Sequence, residues 1–276
     1  MLTTLSVIKP EANTRFDKLL NKLRKDKVEI HYKTFKKLSV KCVEYISYSK
    51  QVDFNKIKKA IGESESQLLC DSVLDLPDKS GYKRFDNHEF KERLCKNLCI
   101  ELASKVNQNI SIGVIDTDAM HMQLVRYLTK YTDCVTVVTK QIDAYKQLAD
   151  TLLEETGAPI YITKGEKSLL RCELVVLLSH LNNNVQLNKS SVLLCAQKPA
   201  KDIRCLCIYD YICKLPKPLE SLCPIDIDKT YFASALYSLC NVYQLGSVVP
   251  ERCCSDIGLH TVDSLEILLE NMNTKT

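Results

Sequence analysis

The chain has 276 residues, 45% of them apolar and 26% charged, a globular composition that excludes a disordered or fibrous protein. Its formal charge of +4 is unevenly spread: residues 1–60 hold 15 Lys/Arg against 6 Asp/Glu, so the remainder is net negative. No apolar run approaches the roughly 18 residues of a membrane helix and no charged-then-apolar leader opens the chain, so a soluble cytoplasmic protein with no membrane contact is expected.

Leu2–Ile8 reads as a strand ended by Pro10, and Asn13 or Thr14 caps a helix whose apolar face is Phe16, Leu19, Leu20 and Leu23. Val28, Ile30 and Tyr32 alternate, as do Leu38, Val40 and Cys42, which predicts two more strands. Asp53 then caps a short helix through Ile57 and Ile61. The lysines of this stretch are interleaved with periodic apolar residues, and no aromatic platform accompanies them. That pattern fits a solvated face better than a nucleic-acid partner. Residues 63–86 hold little beyond the turn Pro77-Asp-Lys-Ser-Gly81. Asp86 or Asn87 starts a strong helix through Phe90, Leu94, Leu98, Leu102 and Val106.

From Asn109 the texture changes. Apolar strands are expected over 110–115, 134–138, 159–162, 172–178, 191–195 and 204–209. Helices carrying Met120 to Leu128 and Ala144 to Leu153 separate the first three, and a short helix over Glu166 to Arg171 precedes the fourth. Continuous apolar strands alternating with amphipathic helices mean a parallel sheet covered on both faces. The tail offers helices over about 229–243 and 262–271, with Asp226 and Asp228 as caps and a loop around Pro250 and Cys253-Cys254. The expected organisation is a small basic α+β domain (1–86), an α/β domain (87–228) and C-terminal helices packing back (229–276). The 14 cysteines include no C-x-x-C, and the close pairs Cys205-x-Cys207 and Cys253-Cys254 lack a second pair at zinc-finger spacing. Reduced core thiols are expected.

The order of elements from Ile110 to Asp210 resembles the dinucleotide-binding domain of shikimate dehydrogenase and glutamyl-tRNA reductase, which also follows a smaller α/β domain and ends in returning helices. The segment Leu76-Pro-Asp-Lys-Ser-Gly-Tyr-Lys-Arg-Phe85 is similar to uncharacterised bacterial proteins of comparable size. The fold class is therefore α/β: a doubly wound, mostly parallel Rossmann-like sheet preceded by a small α+β domain. The resemblance implies NAD(P), but Asp116-Thr-Asp-Ala-Met-His121 stands where the family carries G-x-G-x-x-G. Asp116, Asp118 and His121 at the glycine positions disfavour a diphosphate. The next strand ends Thr139-Lys140, with no carboxylate for a ribose diol.

Asp116 and Asp118 admit three readings: a helix cap with its dipole partner, a Mg²⁺ or Mn²⁺ site, or the opening motif of haloacid-dehalogenase-type phosphatases, whose paired downstream acids are missing. Strand carboxyl ends are where open parallel sheets bind ligands. The candidates for a small polar ligand are Asp116, Asp118, His121, Thr139, Lys140, Ser179 and His180, on a rim that also holds Thr163, Lys164, Gln197, Lys198 and Asp210. His31, His88 and His260 have no partners at motif spacing. The leading expectation is a degenerate Rossmann-like domain serving as a ligand-binding or regulatory module. The alternatives are an enzyme at the rim, metal-assisted or oxidoreductase-like, and polyanion binding through the basic N-terminal domain.

Overall fold

The computed structural model describes residues 2–11, 13–49, 51–62, 67–71, 74–106, 109–178, 185–200, 203–240 and 248–273. In chain order the elements begin with β1 (Leu2–Ile8), α1 (Arg15–Leu23), β2 (Lys27–Phe35), β3 (Leu38–Ile46), α2 (Phe54–Ile61), β4 (Gln67–Cys70) and β5 (Lys83–Arg84). Then come α3 (His88–Lys105), β6 (Ile112–Ile115), α4 (Met122–Leu128), β7 (Val135–Val138), α5 (Ile142–Thr156) and β8 (Ile160–Thr163). A 3-10 turn over Glu166–Arg171 leads to β9 (Leu174–Leu177), β10 (Val192–Cys195), β11 (Leu206–Ile208) and β12 (Asp210–Ile212). The tail holds α6 (Lys217–Glu220), α7 (Lys229–Cys240), β13 (Arg252–Ser255), β14 (Gly258–His260) and α8 (Val262–Asn273). None of the described helices is long and apolar enough to cross a membrane.

The elements form two compact units, Met1–Asn87 with Leu215–Val242, and His88–Lys214 with Tyr243–Thr276. The first unit is a sheet in the order β2-β3-β1-β4-β5. β1 pairs in parallel with β3 and β4, so both of its edges are covered and most of its residues are buried. The β2–β3 hairpin is antiparallel from Lys27↔Ile46 to Phe35↔Leu38. Leu5, Val43, Tyr45, Ile57, Ile61 and Leu68 make its core. Asp53 caps α2 as its spacing predicts, accepting from the Asn55 amide at 3.0 Å. β4 was not legible, because a four-residue strand is too short to show a period.

The second unit carries six strands in the order β11-β10-β9-β6-β7-β8, every pair parallel. Two three-strand halves diverge from the β6–β9 pair, which is the strand order of a doubly wound Rossmann-like sheet. All residues of β6 and β10 are buried, as a sheet covered on both faces requires. α3 packs across β9 and β10, and α8 packs on α3. The segment around Cys253-Cys254, expected as loop, is instead paired: β12, β13 and β14 form an antiparallel sheet. Tyr211 and Cys253 face each other in its interior. Strands of three or four residues, with β12 and β13 far apart in the chain, leave no local signal.

Candidate functional site

An open parallel sheet offers its ligand crevice where the strand order diverges, here beyond the carboxyl ends of β6 and β9. β6 runs directly into Asp116, which is 0% exposed. Its Oδ1 accepts from the Met120 amide at 3.1 Å, and its Oδ2 from the His121 amide at 2.7 Å and the Tyr145 hydroxyl at 2.7 Å. The backbone turns back through Ala119 at φ 58°, a left-handed conformation uncommon for a residue with a Cβ. The amides at the mouth of α4 are thus already received by a carboxylate of the chain itself. Burial and the Asp116 carboxylate both push the Tyr145 phenol well above its ordinary value, so it stays a neutral donor.

The His121 ring lies over the same crevice. It is hydrogen-bonded to the backbone at Leu178, just beyond β9, and its Nδ1 stands 3.7 Å from Glu92 Oε1 on α3. Glu92 is also paired with Lys96, one turn along α3. Burial, and after it the Lys96 ammonium, pull the imidazole below its ordinary value, against the opposing pull of Glu92 and Asp116. Asp118 is exposed. Thr139 is buried; its hydroxyl donates to the Thr117 carbonyl at 3.4 Å and accepts from the Gln141 amide at 3.0 Å, while the Lys140 amide donates to the same carbonyl. The structure therefore gathers Asp116, His121 and Thr139 around one loop and leaves the Asp118 and Lys140 side chains outward. Ser179 and His180 lie outside the described residues.

Elsewhere on the rim, Thr163 accepts from the Gly165 amide, Lys164 is exposed, Gln197 meets His88 at 3.2 Å, and Asp210 pairs with Lys91 at 2.8 Å. Lys198 bonds Asp256 at 2.5 Å and lies over the Tyr209 ring. It belongs to an open cleft of about 390 Å³ along β11, bounded by the β13–β14 turn and lined by Lys189, Arg204, Cys205 and Cys207 among others. In the first unit, a cleft of about 610 Å³ holds Asp71, Asp86, Asp226 and Asp228 around Arg84. The Arg84 guanidinium donates to the Asp71 and Leu74 carbonyls.

Sequence reasoning missed three participants. Tyr145 reads as a core residue of α5, although a buried phenol needs a partner and could have prompted the question. Glu92 reads as one of an i, i+4 pair on a helix. His31, which has no partner at motif spacing, lies in the first unit two residues from Glu29 on β2, and the β2–β3 pairing adds Glu44; its Nε2 is 3.6 and 3.9 Å from their carboxylates. Among the described residues these three are the one group whose ligand atoms could share a metal ion.

The sheet order and the loop at its centre define the class of protein, a Rossmann-like α/β protein. No family model matches the chain. A search of curated proteins likewise gives no match. Among solved structures the chain is similar to the crystal structure of L-tryptophan dehydrogenase from Nostoc punctiforme, with a TM-score of 0.33 and 12% identity, over 100% of this chain and 89% of that one.

Proposed function

We propose that the chain is a ligand-binding or regulatory module built on a Rossmann-like sheet that takes no dinucleotide at its β6–α4 turn. The observation that carries this reading is the Asp116 carboxylate, buried and bonded to the Met120 and His121 amides and the Tyr145 hydroxyl. A pyrophosphate needs those helix-mouth amides free and a glycine-lined gap through which to approach them. Here a carboxylate already holds the Met120 and His121 amides, the same loop carries the exposed Asp118, and the His121 ring is hydrogen-bonded to the backbone at Leu178 beyond β9. NAD(P) does not fit such residues. Holding Mg²⁺ or Mn²⁺ through Asp116 and Asp118 would require Asp116 to give up the bonds that order the loop. A small polar ligand has room instead along the remaining rim and in the cleft beside β11.

Thermal unfolding with NAD⁺, NADP⁺, Mg²⁺ and Mn²⁺ added separately tests this. A ligand at a hundred times its dissociation constant adds about 2.7 kcal/mol, several degrees at this size. No shift is expected with any of them, and a shift with either dinucleotide sinks the reading. Asp116→Ala orphans two amides and a buried hydroxyl, so it should cost about 2–4 kcal/mol in urea unfolding, more than an ordinary exposed cap. A variant of unchanged stability that instead abolishes a metal-induced shift would assign a metal site to Asp116 and favour the metal-assisted enzyme reading.

A further inference from the structure

Cys195 ends β10 and Cys207 is the middle residue of β11. In the parallel register Leu193 stands opposite Cys207, so Cys195 is diagonal to Cys207 on the same face of the sheet. Their sulfurs are 3.8 Å apart. The two thiols differ in surroundings. Cys195 is 1% exposed, whereas Cys207 is partly exposed and lines the cleft with Lys189, Lys198 and Arg204. The hydrogen bond from Cys195 holds the Cys207 thiol below its ordinary value against the effect of burial, with Lys198 helping and Asp256 opposing. The same bond, and then burial, raise Cys195. Cys205, also on the cleft, is pushed up to about 12 by burial first and Cys207 second.

We propose that Cys195 and Cys207 are a reversible redox dithiol whose substrate is a small anionic disulfide received in the cleft by Lys189, Lys198 and Arg204. The pair combines a partly exposed thiol in a cleft lined by cations with a buried thiol diagonal to it on the neighbouring strand, the arrangement of an attacking and a resolving cysteine. Cys207, as thiolate, attacks one sulfur of the small disulfide, whose S–S bond breaks to release one small thiolate and leave a mixed disulfide on Cys207. Cys195 then gives up its proton and attacks the Cys207 sulfur, expelling the second small thiolate. The protein pair loses two electrons in all and the small disulfide gains them, and the released proton ends on a product thiolate. Bonding brings the sulfurs from 3.8 Å to about 2.05 Å and ties the edge strand β11 to β10 at the cleft floor. This gives a ligand class to the regulatory module proposed above and rests on that reading, but it makes no use of Asp116 or of the β6–α4 turn.

The test is incubation of the full chain with glutathione disulfide at neutral pH, followed by intact-mass measurement and peptide mapping. The expected product has lost one pair of hydrogens, maps to a Cys195–Cys207 cross-link and is restored by dithiothreitol. Cys207 should react ahead of Cys134, which is the more exposed thiol. Cys195→Ser should instead retain one glutathionyl group on Cys207. A cross-link mapping to Cys205 and Cys207, reaction at Cys134 before Cys207, or neither a cross-link nor an adduct on either cysteine of the pair would each overturn the proposal. The wild-type map needs no variant to fold, and a failure here would leave the dinucleotide titrations unaffected.

Discussion

A carboxylate that accepts several bonds from its own chain orders the loop around it, and the partners decide which carboxylates do so. Asp26 in the first unit is the counterpart of Asp116. Its Oδ1 accepts from the Tyr48 and Ser49 amides at 2.7 and 3.0 Å, and its Oδ2 from the Tyr45 and Ser49 hydroxyls at 2.7 and 2.9 Å. Burial pushes this carboxyl upward, but the bonds from Tyr45, Tyr48 and Ser49 outweigh it and hold it at about 2, below the ordinary 3.8. An acid depressed on folding stabilises the folded state above its unfolded value, and that contribution is lost as pH falls through the folded value. Asp26→Asn should therefore cost about 1–2 kcal/mol at neutral pH, the lower range for bonds to a charged group that keeps contact with solvent. It should also flatten the fall in stability between pH 3.8 and about 2, as followed by urea unfolding across that range. An undiminished slope in the variant would assign the acid sensitivity to other groups. Nothing in the sequence marks Asp26, since its partners lie about twenty residues away and across the hairpin.

At the scale of elements, the joint between β6 and the 3-10 turn explains a glycine in an otherwise apolar strand. A Cβ on Gly113 would lie 2.6 Å from Leu169 Cδ2 and 3.3 Å from both Cys172 Sγ and Val175 Cγ2. Leu169 is fully buried and belongs to the short turn that carries the chain from β8 to β9. Gly113→Ala should cost about 1–3 kcal/mol by overpacking. In the double variant with Leu169→Ala the two losses should sum to less than their parts, because the smaller side chain vacates the contested space. Strict additivity in chemical unfolding would show that the strain is relieved elsewhere. A glycine inside a strand does announce a close approach, but the sequence does not say what approaches.

At the scale of the molecule, the first unit is discontinuous, for α7 returns to it from residue 229. Phe232, Ala233, Ala235 and Leu236 of α7 are buried, and the helix packs on β1. A fragment ending at Asn87 lacks this cover over its central strand. It should show weak near-ultraviolet dichroism and poorly dispersed amide resonances, whereas the intact chain should show neither defect. A well-dispersed spectrum from the fragment would mean that β1–β5 and α2 suffice for a core. α7 itself was legible as a helix, with Asp228 at its start accepting from the Tyr231 amide at 2.8 Å. Its attachment to the far end of the chain was not.

Local periodicity alone determined the kinds of elements: six continuous apolar runs, the helices between them, the caps Asp53 and Asp228, and hence a parallel doubly wound sheet. These follow because the helical and strand repeats act over a few residues and are written in any short window. Tertiary structure alone decided what meets at the ends of the strands. Asp116 and Tyr145 are 29 positions apart, Cys195 and Cys207 are 12 apart, and β12 finds its partner in β13 after a long excursion. Those meetings depend on how the chain returns to the sheet, through contacts that no local window contains. The acidic loop was visible in the sequence as a departure from glycine. Only its burial and its partners determine that the Asp116 carboxylate is bound to the Met120 and His121 amides and the Tyr145 hydroxyl.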